Sequence, residues 1–136
     1  MNVLVDTSVW SMALRRPSPS SAEVAALREL IDEGRAALLG AIRQEILSGV
    51  RSESQFERLR DDLAAFVDLE VSSEDHVRAA SFFNRCRRKG VQGSNTDFLI
   101  CAAAHRHQVP IFTTDRDFSR FARTLPIALF TGQQVT

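Results

Sequence analysis

Residues 2–10 read NVLVDTSVW, and the fold turns on how this stretch is parsed. Residues 2–5 (NVLV) are apolar and β-branched and run into a polar turn, the pattern of a short buried strand. The strand ends on a carboxylate, Asp6, followed by two hydroxyl residues, Thr7 and Ser8. An unpaired charge at the end of a buried strand is costly. In open parallel sheets, ligands sit just outside the carboxyl ends of the strands. Asp6 is therefore expected outside the core, at the working edge of such a sheet.

Working outward, Ser8 can cap a short helix, VWSMALR (9–15), which ends before the Pro/Ser stretch RPSPSS (16–21). Ser20 or Ser21 can cap the next helix. Val24, Leu27, Leu30 and Ile31 repeat there at helical spacing, and Gly34 closes it. AALLG (36–40) is too brief for a helix and reads as a strand, whereas residues 41–50 resume helical spacing through Ile42, Ile46 and Val50. Residues 54–66 form an amphipathic helix with Phe56, Leu59, Leu63 and Phe66 on one stripe. VDLEV (67–71) alternates like a strand, and Ser73 opens a long helix to about Lys89. Residues 90–95 make a turn before an Ala-rich helix (96–108) that must be largely buried. PIFTTD (110–115) reads as a strand, 116–124 as a helix and IALF (127–130) as a last strand. Strands alternating with helices argue for a parallel sheet covered on both faces. One α/β domain spanning 1–136 is the expectation, since the length suits one core and not two.

Composition narrows the function. Hydrophobic residues make up 44% and charged residues 25%, the balance of a globular chain. Lys+Arg and Asp+Glu both number 17, so no global charge draws the protein to nucleic acid or anionic lipid; RNA binding would need a local basic patch. Cys86 and Cys101 form no CxxC and have no His pair at zinc spacing, so both read as reduced and packed. No leader-like segment and no apolar run near 18 residues is present, and a cytoplasmic protein without membrane contact is expected.

The acids are the chemically informative residues. Asp115 ends its strand as Asp6 does, with Asp117 two positions on; Glu45 lies early in the helix after ALLG, and Asp97 opens the helix after the 90–95 turn. Each has a plain explanation, because carboxylates near helix starts complement the dipole and cap free N–H groups. The set is more telling. Two carboxylates about 5 Å apart repel by roughly 3 kcal/mol at an effective dielectric of 20. Several in one cleft must be protonated, countered by Arg, or gathered around a divalent cation. Oxygen donors without His or Cys favour Mg²⁺ or Mn²⁺ over zinc. Such a centre can polarise a phosphodiester and generate hydroxide from water.

Four segments together resemble the PIN-domain ribonucleases, most closely the VapC toxins of bacterial toxin–antitoxin pairs. VLVDTSVW is similar to the family's opening motif, RQEILSGV to the second, GSNTDFLICAAA to the third and IFTTDRDF to the fourth. The resemblance implies a three-layer α/β/α fold with a five-stranded parallel sheet, and a Mg²⁺- or Mn²⁺-dependent endoribonuclease. Asp6, Glu45, Asp97 and Asp115 would form the acidic quartet. Asp6 and Asp97 would be the most direct metal ligands, Glu45 and Asp115 would complete the site, and Asp117 is carried as an auxiliary acid. Thr7, Ser8 and Thr114 would hydrogen-bond carboxylates or substrate phosphate, or simply cap helices. Cleavage would leave a 5′-phosphate and a 3′-hydroxyl. The partners implied are RNA, a VapB-like antitoxin, and a second copy in a homodimer or a larger complex with the antitoxin.

To grip RNA, Arg43, Arg51, Arg85, Arg87, Arg88, Lys89, Arg116 and Arg120 are candidates. The run Arg87-Arg88-Lys89 also suits a helix C-terminus. Trp10 and Met12 belong either to the core or to an apolar groove for an antitoxin helix. Asn95 has no assigned role, and neither do His76, His105 and His107. A haloacid dehalogenase-type phosphatase would want an acid where Ser8 stands and a lysine near the chain's end, and Lys89 is the only lysine. The other rival is a catalytically inactive PIN-fold scaffold binding RNA or protein, which loss of a quartet acid would favour; none is missing.

Overall fold

The computed structural model describes residues 1–14 and 21–132; the Pro/Ser stretch through Ser20 lies outside them. β1 (Val3–Val5) is the central strand of a parallel sheet in the order β2-β1-β3, with β2 at Ala36–Ala37 and β3 at Ile111–Phe112. Val3 faces Ala36 and Leu4 faces Ala37 on one side; Leu4 faces Ile111 and Val5 faces Phe112 on the other. Val3, Leu4 and Val5 are all buried. Successive residues of a strand point to opposite faces, so both faces of the central strand are covered.

The sheet has three strands rather than the five expected. The segments read as strands at 67–71 and 127–130 are each reduced to one parallel bridge, Leu38 with Asp68 and Ile111 with Leu129. Their positions are those of flanking strands: Leu38 N–H donates to Val67 O (3.2 Å) and Leu69 N–H to Leu38 O (2.8 Å). The ladder cannot lengthen because its partners run out. Leu39 already caps α3, and Ser72 caps α5. On the opposite edge β3 is only two residues long, and Pro126, just before the bridge segment, has no N–H to donate.

Seven helices occur among the described residues: α1 (Thr7–Leu14), α2 (Ala22–Asp32), α3 (Gly40–Leu47), α4 (Glu53–Leu63), α5 (Ser73–Arg88), α6 (Asn95–His107) and α7 (Asp117–Thr124). Ser21 caps α2 by accepting from Val24 N–H at 3.1 Å, and Gly34, at φ 68°, closes it in the left-handed region. α1 begins at Thr7, one residue before the expected cap; the backbone carbonyl of Asp6 accepts from Val9 and Trp10, and the Ser8 hydroxyl is used elsewhere. The stripe on α4 also departs from expectation, with Phe56 exposed while Leu63 is buried.

α6 is the buried spine. Phe98 and Ile100 to Ala104 are all buried, and the helix packs along α5. Its small residues allow that close approach. Phe98 meets Phe121 at 4.8 Å between ring centroids and Phe83 at 5.5 Å, and Phe118 meets Phe121 at 5.1 Å. Burying Phe98, Phe118 and Phe121 contributes roughly 1.5–3 kcal/mol each. Gly93 makes this packing possible: a Cβ there would stand 2.5 Å from Phe121 Cζ. Trp10 is 1% exposed, donates its indole N–H to Val5 O (3.0 Å) and meets Phe66 edge-on. It is a core residue, not the wall of an open groove.

Among the described residues no helix is long and apolar enough to cross a membrane. Cys86 and Cys101 are free and buried, and burial pushes both thiols up.

Candidate metal-binding active site

The ends of β1 and β3 build the centre of the site. Asp6 N–H donates to Phe112 O (2.8 Å), so Asp6 closes the strand ladder and starts α1 in one step. Asp6 is 7% exposed and therefore buried, contrary to the expectation of an open edge. Two hydroxyls make that burial tolerable: Ser8 donates to Asp6 Oδ2 at 2.9 Å and Thr113 donates to the same oxygen at 2.8 Å.

The same hydroxyls organise the loop after β3. Thr113 Oγ1 accepts from Asp115 N–H (3.0 Å), Ser8 Oγ accepts from Thr114 N–H (3.1 Å), and Asp115 Oδ1 accepts from Asp117 N–H (2.9 Å). The sequence points to Thr114, whereas the hydroxyl that holds Asp6 is that of Thr113. Strand periodicity was the available signal, because it places residues 111, 113 and 115 on one face and 114 on the other. Thr114 is exposed and contributes only its backbone N–H.

α3 and α6 bring in the other two acids. Thr7 donates to Glu45 Oε1 at 2.7 Å, tying α1 to α3. Asp97 is the third residue of α6 and completes a capping box: Ser94 Oγ accepts from Asp97 N–H (3.0 Å), and Asp97 Oδ2 accepts from Ser94 N–H (3.0 Å). The helix-cap reading of Asp97 is thus correct, and it accounts for one oxygen only.

Asp6, Glu45, Asp97 and Asp115 line a single cavity of about 590 Å³, with Thr7, Ser8, Gln44 and Thr96. Residues up to 109 positions apart in the chain meet there. In each carboxylate one oxygen is held by the protein's own donors, and the other has no hydrogen-bond partner among the described residues. No Arg, Lys or His lines the cavity, and none of the four forms an ion pair among the described residues. The acids sense one another: Asp97 has its pKa raised, first by burial and then by the charges of Asp6 and Asp115, against the lowering effect of Ser94.

An uncompensated set of oxygen anions fits a hard divalent cation. In these side-chain positions, no three Asp, Glu, His or Cys among the described residues stand close enough to hold one. The quartet rings the cavity rather than forming a closed cage, and its untethered oxygens would have to swing inward.

The remaining candidates lie elsewhere. Asp117 does not line this cavity; its carboxylate stands 3.9 Å from Arg120 in α7. Arg43 is committed to structure, pairing with Asp68 (2.8 Å) and donating to the carbonyls of Leu63 and Phe66. Arg85 lies over the Phe82 ring at 5.4 Å. Arg87 and Arg88 are exposed in the last turn of α5 with Lys89 at its cap, and Arg116 and Arg120 are exposed at the start of α7. Arg51 lines a separate groove with Leu14, Arg58 and Asp62.

Comparison with known proteins identifies the family and the fold. The family model described as PIN domain matches residues 3–124. The chain is 30% identical over 134 residues to Ribonuclease VapC51 of Mycobacterium tuberculosis, covering 98% of this chain and 90% of that protein. Among solved structures, VapBC-1 from nontypeable Haemophilus influenzae aligns with a TM-score of 0.72 at 15% identity, covering 98% of this chain and 100% of that one. FitAcB from Neisseria gonorrhoeae aligns at 0.69 and 21% identity, covering 98% and 99%. VapBC2 from Rickettsia felis, bound to a promoter DNA fragment, aligns at 0.69 and 18% identity, covering 96% and 98%. At these identities the structural likeness establishes the fold.

Proposed function

This chain belongs to the PIN-domain family, in its VapC-type ribonuclease branch, and from that premise we propose that it is a divalent-metal-dependent endoribonuclease serving as the toxin of a toxin–antitoxin pair. The observation that carries the proposal is the convergence of Asp6, Glu45, Asp97 and Asp115 on one cavity that no basic side chain lines.

Each residue then has a task. Asp6 and Asp97 are the direct ligands for Mg²⁺ or Mn²⁺, and Glu45 and Asp115 complete the set. A cation bound there would supply charge neutralisation for the phosphodiester and an activated water. Ser8 and Thr113 hold one oxygen of Asp6 and Thr7 holds one oxygen of Glu45, leaving the other oxygen of each free to turn toward a cation. RNA phosphates would need cations from outside the cavity lining, for which the exposed Arg87, Arg88, Lys89, Arg116 and Arg120 are the candidates. Asp117 would act only by holding the Asp115 loop through its N–H. The partners are RNA, a VapB-like antitoxin and a second copy of the chain; a solved relative from Klebsiella pneumoniae described as a toxin–antitoxin complex supports the antitoxin. A single domain acting in the cytoplasm agrees with this role.

Purified protein incubated with labelled structured RNAs tests the proposal, in Mg²⁺ or Mn²⁺ and in chelator, beside Asp97→Asn. Discrete cuts that need the cation and vanish in the variant are expected. Identical patterns from both proteins, with RNA binding retained, would leave the inactive scaffold as the better reading.

A further inference from the structure

The acid cavity is not closed at its α6 side. Thr96 also lines a second groove of about 300 Å³ between α5 and α6, shared with His76, Ala79, Ala80, Asn95 and Leu99. The volume is at the lower end for a small-molecule site, enough for one ring system and not for a stacked pair of nucleotides. No Asp, Glu, Lys or Arg lines it, so a phosphate would find no counter-charge there. Its groups are instead a small apolar floor of Ala79, Ala80 and Leu99, an imidazole, and a carboxamide. The side chains of His76 and Asn95 have no hydrogen-bond partner among the described residues, and both are exposed. Asn95 precedes the ligand candidate Asp97 by two residues, so whatever fills the groove adjoins the quartet.

We propose that this groove receives the base of the RNA nucleotide neighbouring the phosphodiester to be cut, with His76 stacking on its face and the Asn95 carboxamide reading its edge. Splayed-out bases are recognised this way, by an aromatic or imidazole plane and a donor–acceptor pair. The acid cavity holds the phosphate and is blind to sequence; the α5/α6 groove supplies the specificity. The assignment rests on the ribonuclease reading above and deepens it.

Binding and cleavage, measured separately, distinguish the two ideas. In chelator, the Asp97→Asn protein is titrated into labelled tetranucleotides of A, C, G and U, followed by anisotropy. One of the four binds about tenfold more tightly, the scale of one base contact, and adding Asn95→Ala or His76→Ala brings the four within about twofold. With Mg²⁺ or Mn²⁺ and a randomised RNA, the otherwise wild-type Asn95→Ala protein loses about tenfold preference at one position beside the cut. No preference in the parent, or a preference unchanged in both variants, overturns the subsite. So does a change confined to self-association by sedimentation, which would make the groove an interface between copies. Cleavage that ignores Asp97→Asn would instead sink the ribonuclease reading while leaving the binding result to stand.

Discussion

Thr113 donates its hydroxyl to Asp6 Oδ2 at 2.8 Å, joining the ends of β3 and β1 across 107 positions of sequence. The same oxygen atom of Thr113 accepts from Asp115 N–H, so one side chain sets two of the four acids. Thr113→Val keeps the shape and removes both bonds. We expect a cost of about 1–2 kcal/mol in stability. Cation affinity should fall roughly 10–100-fold, as when the supporting partner of a metal ligand is lost. Melting curves across a Mn²⁺ titration read both, and unchanged affinity would show that Ser8 alone suffices to hold Asp6.

Asp97 carries a pH signature. Its folded pKa is raised above the ordinary 3.8, so a proton on it favours the fold. That stabilisation is present below 3.8 and is lost as pH rises through the folded value. At neutral pH without cation the ionised side chain therefore costs stability, and Asp97→Asn should melt higher than wild type while keeping an oxygen for Ser94 N–H. The gap should shrink on acidification below 3.8. A variant melting lower at pH 7 would mean that the charged cap outweighs the cost of burial and of the neighbouring acids.

Cation binding should appear as heat resistance. At a hundredfold excess over its dissociation constant a ligand adds about 2.7 kcal/mol, near 10 °C for a domain of this size. Mg²⁺ or Mn²⁺ should raise the melting temperature of wild type by that order, chelator should reverse it, and Asp6→Asn should respond little. Equal shifts in wild type and variant would place the cation outside the quartet.

Asp75 tests a charge far from catalysis. It is 0% exposed, receives Arg106 Nε at 2.8 Å and completes the α5 capping box with Ser72. The Arg106 hydrogen bond, more than any other cause, holds its carboxyl below the usual range against burial. Its contribution is present above 3.8 and is lost as pH falls through the lowered folded value. Asp75→Asn should destabilise the protein by about 2 kcal/mol at pH 7, the scale of a charge-assisted hydrogen bond, with the difference closing in acid. Denaturant melts at pH 7 and pH 3 provide the check.

Gly93→Ala should be destabilising without touching the site. The added methyl would meet the buried Phe121 ring at 2.5 Å and Phe98 at 3.0 Å. Overpacking of this kind costs about 1–3 kcal/mol, and urea unfolding would measure it. A neutral result would mean the loop before α6 can lift without disturbing the aromatic cluster.

What the sequence determined by itself was local. Apolar periodicity located the buried face of α2 through Val24, Leu27 and Leu30 and of α3 through Ile42 and Ile46, because burial of one face must repeat with the geometry of the element. The four acids at strand and helix ends were legible for the same reason: Asp6 and Asp115 interrupt apolar runs where a charge needs a purpose. Tertiary structure decided what those signals could not carry. Local pattern marks a strand's apolar face but not how many partners it finds, so 67–71 and 127–130 looked like strands and formed single bridges. It showed Trp10 and Arg43 as an amphipathic ring and a cation, while their partners, the Val5 carbonyl and the Leu63–Asp68 turn, lie in other elements. Thr113 rather than Thr114 supports Asp6 because β3 lies beside β1 in that register. A hydrogen bond depends on which strand ends abut, and that is a property of the packed sheet.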